Sequence, residues 1–307
     1  MFFASESLKH FLQESLVQES NLPLSLLFWG EEGIGKMTAA KYLAATILCQ
    51  TDKKKWGGCA RCRSCQMVKN NIHPDLKIIL GLNESIKIED INGEEGIINF
   101  LSFYPQLSPA RIVIMDNADR MTLEAQNAFL KTLEEPPSKS LIILISAQPL
   151  KLLPTVRSRL ISLRFQRASG NKIAKFLEKE KKIPQEQATS LANLSQGRIG
   201  LALRLLDENY LNLRQEAVKD LQNLLTDDLL AKFNYLEQNT ADRELLKEKI
   251  VIWLEFLNQQ LLLEEAARSV SYNKIENLTK ELLVAYDLLN NTNINQRLLI
   301  ENIFLTV

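Results

Sequence analysis

Apolar residues are grouped in two different ways along the chain. Up to residue 166, short apolar runs at Leu24 to Trp29, Leu76 to Leu80, Arg111 to Asp116, Leu141 to Ser146 and Leu160 to Phe165 have the length of buried strands. Helical composition separates them: Met37 to Cys49, then Gln66 to Asn71, then a strand end and a helix across Ile86 to Phe100. Thr122 to Glu135 reads as an amphipathic helix stopped by Pro136-Pro137, Tyr104 to Ala110 as a Pro-containing loop, and Pro149 to Arg159 as a loop entering a short helical turn. Strands alternating with helices predict a parallel sheet whose ligands gather at the carboxyl ends of the strands. Beyond Phe165, Lys172 to Lys181 and Gln185 to Leu194 are helical, Gly197 to Gly200 is a break, and no Gly or Pro follows. Leu then recurs every three or four residues, as in Leu245 to Leu263 and Leu278 to Leu289, which predicts an all-helical remainder turned at Asn239-Thr240 and Asn290 to Asn293.

The first strand runs into Gly30-Glu31-Glu32-Gly33-Ile34-Gly35-Lys36, a phosphate loop of the Walker A type in its required strand, loop and helix context. The residue after Lys36 should be Ser or Thr, whose hydroxyl ligates Mg²⁺; here it is Met37, and a thioether is a poor ligand for a hard cation. Thr38 comes one residue late, turned by about 100° on the starting helix. The run ending in Asp116 has the Walker B pattern, but the base position that follows is Asn117, an amide that cannot take a proton. Asp119 is expected to cap the helix that begins near Thr122. The candidate phosphate-binding set is therefore Gly30, Gly33, Gly35, Lys36, Thr38, Asp116 and Ser146. Backbone N–H groups and Lys36 leave weak or trapped ATP or ADP binding open, while two lesions argue against hydrolysis.

All four cysteines, Cys49, Cys59, Cys62 and Cys65, lie in one window, the last three spaced C-x-x-C-x-x-C. Four thiolates meeting through Gly-containing turns suit a closed tetrahedral Zn²⁺ site, structural because it has no open position for water. Two disulfides fit poorly with an intracellular chain. Composition sets outer bounds: 307 residues with 46% hydrophobic content fill two or three domains, and a net charge of +0 supplies no overall field toward nucleic acid. Met1 to Glu14 lacks a secretory pattern and the longest apolar run, Leu141 to Ala147, is too short for a bilayer, so a cytoplasmic protein is expected.

Gln126-Asn127-Ala128-Phe129-Leu130-Lys131-Thr132-Leu133-Glu134-Glu135-Pro136-Pro137, with Pro154-Thr155-Val156-Arg157-Ser158-Arg159, closely resembles the clamp-loader branch of the AAA+ ATPases. The four-cysteine insert after the first helix makes the likeness bacterial. The resemblance implies an AAA+ P-loop domain over residues 1–166 with a zinc module at about 49–70, a helical lid over 167–207 and an all-α oligomerisation collar over 208–307. It also implies a five-subunit arc with motor subunits and a clamp-opening subunit, acting on a sliding clamp and primer-template DNA. Each ATP site lies at a subunit boundary, where a neighbour supplies the arginine of a Ser-Arg-Cys motif, here Ser158-Arg159-Leu160. Arg159 is the expected arginine finger, and its reading as a cation at a helix start, unfavourable for the dipole, favours that role. The sensor-1 position is Ser146; the lid arginine position is Gly200, a third loss, with Arg198 on a different face.

The resemblance thus implies a non-hydrolysing clamp-loader subunit that supports clamp loading. An active motor subunit is the alternative, opposed by Met37, Asn117 and Gly200. A zinc-dependent DNA-binding module, suggested by Lys53, Lys54, Lys55, Arg61, Arg63 and Lys69, is weaker, because a charge run is usually a solvated face.

Overall fold

In the computed structural model, which describes residues 24–51, 56–81, 85–226, 228–267 and 271–306, five parallel strands form one sheet. The readings made of Met1 to Glu14 and of Lys53, Lys54 and Lys55 lie outside the described residues. The strands β1 (Leu24–Trp29), β2 (Leu76–Leu80), β3 (Arg111–Asp116), β4 (Ser140–Ser146) and β5 (Ile161–Arg164) pair in the order β2-β3-β4-β1-β5. Because side chains alternate along a strand, each strand feeds two cores. Leu26, Phe28, Ile112, Ile114, Ile143 and Ile145 face α1 (Lys36–Leu48), while Leu27, Val113, Met115, Ile142 and Leu144 face the opposite layer. The middles of the central strands are consequently apolar on both faces, with Ser25 the polar exception, as a sheet covered on both sides requires.

The opposite layer comes from α3 (Ile88–Asn92), α4 (Ile97–Ser102), α5 (Leu123–Glu134) and α6 (Pro154–Arg157). The strand end expected at Ile86 forms, as a parallel bridge to Met121, but the single helix expected after it does not: Gly93 to Gly96 separates α3 from α4. The Gly93 amide donates to the Glu89 carbonyl and the Gly96 amide to Gly93, closing a turn; glycine inside a helix costs about 1 kcal/mol relative to alanine, so the break falls where two of them lie.

The cysteine segment returns through α2 (Arg63–Lys69) and is tied to the sheet by buried polar groups. His73 Nδ1 accepts from the Asp75 amide at 3.0 Å, which places the ring proton on Nε2, facing Ser64 Oγ at 2.8 Å and Ser108 Oγ at 3.2 Å. Burial lowers the His73 pKa and keeps the ring neutral. Ser64 in turn donates to the Leu48 carbonyl at 2.5 Å. His73 is thus the packing residue its Pro-Asp context predicts.

Asp75, 0% exposed, accepts the amides of Gln106, Leu107 and Ser108 at 2.7, 2.8 and 3.0 Å, with Arg111 Nε 4.0 Å away. One carboxylate therefore orders the loop that precedes β3.

The chain divides into two compact units, the first ending at Leu203 and the second starting at Arg204. The first also contains α7 (Gly170–Lys181), α8 (Gln185–Leu194) and the start of α9 (Ile199–Arg204). The second contains α10 (Glu208–Thr226), α11 (Leu229–Asn239), α12 (Arg243–Ala267), α13 (Ser271–Asn291) and α14 (Gln296–Thr306). There Trp253 is buried edge-on against Phe304 at 5.6 Å and donates from Nε1 to the Ala217 carbonyl at 2.7 Å, so the indole loses no hydrogen bond on burial. Among the described residues no helix is long and apolar enough to cross a membrane.

Replacing Asp75 by Asn puts N–H groups against N–H groups in a dry site and should cost roughly 3 kcal/mol of stability. Urea unfolding of Asp75→Asn checks this; an unchanged midpoint would show that the loop does not depend on the carboxylate.

Candidate functional site

The amide of Gly30 donates to the Ser146 carbonyl at 3.2 Å, extending the β1 and β4 pairing into the phosphate loop. The parallel sheet brings Gly30, Gly33, Gly35, Lys36, Asp116 and Ser146 to the carboxyl edge of the strands. Within that edge each chemically active group is engaged by the protein itself. Lys36, buried at the first position of α1, donates from Nζ to the carbonyls of Gly30 at 2.5 Å and Glu31 at 2.6 Å. Burial lowers its pKa, against the opposing pull of Glu32 and Asp116. The Met37 side chain packs against the core under α1, and Thr38 is exposed.

Asp116 ends β3 half-buried, and burial raises its pKa. Asn117 adopts a left-handed backbone with φ of 51°, which asparagine tolerates better than most residues, and its Nδ2 donates to the Gly81 carbonyl at 2.9 Å. The amide that replaces the expected base is thereby a clamp between the ends of β3 and β2. Asp119 does not cap the following helix. Thr122 does so through its hydroxyl, which accepts from Ala125 N at 3.2 Å. Asp119 Oδ1 instead accepts from Ser146 Oγ and from the Ala147 amide, the latter at 3.2 Å. A threonine directly before the helix meets the capping rule with no intervening residues, leaving Asp119 free to close the β4 turn.

The start of α9 lies on the phosphate loop. Gly200 N donates to Gly33 O at 2.7 Å, and a Cβ on Gly200 would stand 2.9 Å from Gly33 Cα and 3.0 Å from Gly33 O. Ile199 Cγ2 comes within 3.6 Å of where a Cβ on Gly35 would be. The position aligned with the lid arginine thus has room only for glycine, a contact that sequence spacing alone does not reveal.

Arg159 lies on the same layer as α5 and α6, two residues beyond the last residue of α6. This corrects the sequence reading, which put it at a helix start: Arg159 Nη1 donates to the Thr155 carbonyl at 2.6 Å, at the end of the turn that suits a cation. The dipole argument for a functional arginine therefore fails. Arg159 also pairs with Glu134, 25 positions away and without a local sequence signal.

The Sγ atoms of Cys49, Cys59, Cys62 and Cys65 all lie within 4.8 Å of one another. Four sulfurs each about 2.3 Å from a tetrahedral ion would stand about 3.8 Å apart, so the set fits such a metal with small adjustment. The amides of Cys62 and Cys65 point at the sulfurs of Cys59 and Cys62, at 3.3 and 3.4 Å. Amide donors from Arg61 and Cys62 bring the Cys59 thiol down to about 6, while burial pushes Cys65 up to about 12. Gly58, at φ of +74°, is required: a Cβ would stand 2.5 Å from Cys65 Sγ and 2.7 Å from the Ala45 carbonyl.

A β2-β3-β4-β1-β5 parallel sheet with a phosphate loop after β1 and helices packed behind it defines a P-loop protein of the AAA+ class. A DNA polymerase III gamma subunit-related protein of Thermotoga maritima shares the fold, with a TM-score of 0.52 at 18% identity over 98% of this chain and 97% of that one. The family described as DNA polymerase III, delta subunit matches residues 4–179. A subunit delta' of Pseudomonas aeruginosa is 32% identical over 78% of this chain and 73% of its own length. That of Bacillus subtilis is 33% identical over 58% of this chain and 53% of its own length. The chain belongs to the DNA polymerase III delta-prime family of clamp-loader subunits.

Substituting Gly200→Ala should lift α9 from the loop and weaken that contact by roughly 1–3 kcal/mol. Amide exchange at residues 199–201 should accelerate accordingly; exchange at the original rate would contradict the contact.

Proposed function

We propose that the chain is the non-hydrolysing member of a clamp loader: it builds the ring, lends Arg159 to the ATP site of a neighbouring motor subunit, and has no turnover of its own. The observation that carries this reading is Lys36, whose ammonium is held by the loop carbonyls of Gly30 and Glu31 while Gly200 closes on Gly33. A nucleotide would have to displace both, and would then meet Met37 where a hydroxyl should ligate magnesium. Weak ATP or ADP binding is compatible with this, and hydrolysis is not, because Asn117 lacks a basic site and is tied to Gly81.

Arg159 is the opposite case. Its side chain is 31% exposed and its partners leave part of the guanidinium facing out. A cation delivered to a γ-phosphate across a subunit boundary is worth about 10³–10⁵ in rate. On this reading residues 1–166 form the nucleotide-fold core, 167–207 the lid and 208–307 the collar. The partners are the motor subunits, the clamp-opening subunit, the sliding clamp and, through the assembled ring, primer-template DNA. The setting is the cytoplasm. Zinc held by Cys49, Cys59, Cys62 and Cys65 staples the module after α1, with no place for substrate.

Three measurements test the proposal. The purified chain should show no DNA-stimulated ATP hydrolysis, and Arg159→Ala should leave the reconstituted complex assembled while cutting hydrolysis at the adjoining site by about 10³ or more. Turnover by the chain alone that Lys36→Ala abolishes, or an unchanged complex carrying Arg159→Ala, would reverse the reading. Elemental analysis should find about one zinc per chain, lost in Cys65→Ser and held less tightly as pH falls, because binding displaces thiol protons; a folded, metal-free protein would refute the staple.

A further inference from the structure

The guanidinium of Arg159 is held on two sides. Nε donates to Glu134 Oε1 at 2.8 Å and Nη2 donates to the same oxygen, while Nη1 donates to the Thr155 carbonyl at 2.6 Å and reaches Ser158 Oγ at 3.4 Å. Of the five N–H groups an arginine carries, four are thereby engaged and one on Nη2 is left over. A planar group pinned through opposite edges cannot rotate about its last bonds without breaking one set.

Both anchors rest on rigid structure. Glu134 is the last residue of α5, next to buried Leu133, and Arg159 follows buried Val156 and precedes buried Leu160; those three residues share one core cluster. Arg157, two residues earlier, has a buried Nε without a hydrogen-bond partner among the described residues, while Arg159 pairs with Glu134. With side-chain exposures of 31% and 48%, the pair stands in solvent, where an isolated ion pair contributes little to stability. Its consequence is direction rather than fold stability.

We propose that Glu134 is a positioning residue for Arg159, fixing the plane of the guanidinium so that its remaining face meets phosphate oxygens of the adjoining subunit without a search over rotamers. This rests on the reading of Arg159 as a finger acting in trans. A misdirected finger still belongs to an assembled ring and still allows ATP to bind, because the phosphate loop and metal of that site belong to the neighbour. The loss therefore falls on kcat rather than on KM.

The test uses the complete reconstituted clamp loader, with every ATP site silenced except the one next to Arg159, and measures kcat and KM for ATP. Glu134→Gln, which keeps size and removes charge, should lower kcat by roughly 10- to 100-fold with KM unchanged. Glu134→Asp should recover part of the rate, and Glu134→Gln should add nothing in the Arg159→Ala background. If Arg159→Ala slows hydrolysis but Glu134→Gln runs at the full rate, or slows it equally with Arg159 absent, the positioning role is overturned and the finger stands. If Arg159→Ala has no effect, the finger reading falls and the positioning role falls with it.

Discussion

The site depends on β1 being enclosed. It pairs in parallel with β4 on one side and β5 on the other, and its residues Leu26, Leu27 and Phe28 are at most 1% exposed. A strand covered on both faces and both edges has one way to leave the sheet, at its carboxyl end, where its next amide donates to Ser146 O. That bond sets the first residue of the phosphate loop against the end of β4. Asp116 is brought alongside because β3 pairs with β4 in register, from Arg111 opposite Ser140 to Met115 opposite Leu144. Phosphate-site geometry is thus a consequence of strand burial, and it persists whether or not the chemistry does.

That geometry gathers polar groups at a buried sheet edge. Polar groups at a buried sheet edge must be bonded by something, because an unmet donor or acceptor costs about 1–3 kcal/mol. Each polar group at this edge has a local solution. Lys36 turns onto carbonyls of its own loop, Asn117 reaches Gly81, Ser146 reaches Asp119, and Gly200 lets a backbone amide satisfy Gly33. These bonds make one another compatible: the left-handed turn at Asn117 sends the chain into the short helical turn that carries Asp119 to the end of β4. Arg159 stands outside this closed set, bonded on the surface and still turned partly to solvent.

What could be read beforehand follows the range of the forces involved. Burial on two faces leaves continuous apolar runs, and so β1 and β3 are legible to the residue; the cysteine cluster and α8 are legible from spacing and composition. Contacts between distant segments leave no such trace. Asp119 looks like a cap because caps are local, yet Thr122 is nearer and wins, and Asp119 is drawn to Ser146 across 27 positions. Arg159 looks like the start of a helix because Pro154 announces one, but α6 is only four residues long and Arg159 falls past its end. Gly200 reads as a missing cation, whereas its closeness to Gly33 arises only when α9 docks.

The cysteine module illustrates how a small insert can share in that order without its own core. Its thiols meet because Gly58 passes within contact distance of Cys65 and the Ala45 carbonyl, so the module is built directly on the last turn of α1. The other end is bound through Ser64, which bridges the Leu48 carbonyl and His73, and His73 bonds the amide of Asp75. Asp75 gathers the loop from Gln106 to Ser108, which leads into β3. A continuous chain of hydrogen bonds therefore runs from the end of α1, which begins at the phosphate loop, to the strand that ends in Asp116. Neutral His73 is essential to it: Nδ1 accepts and Nε2 donates, an arrangement that a charged ring, donating from both nitrogens, would break. The module and the sheet edge are joined by side chains whose donor and acceptor senses are fixed by their backbone partners, so the insert fixes the spacing of the elements that frame the site.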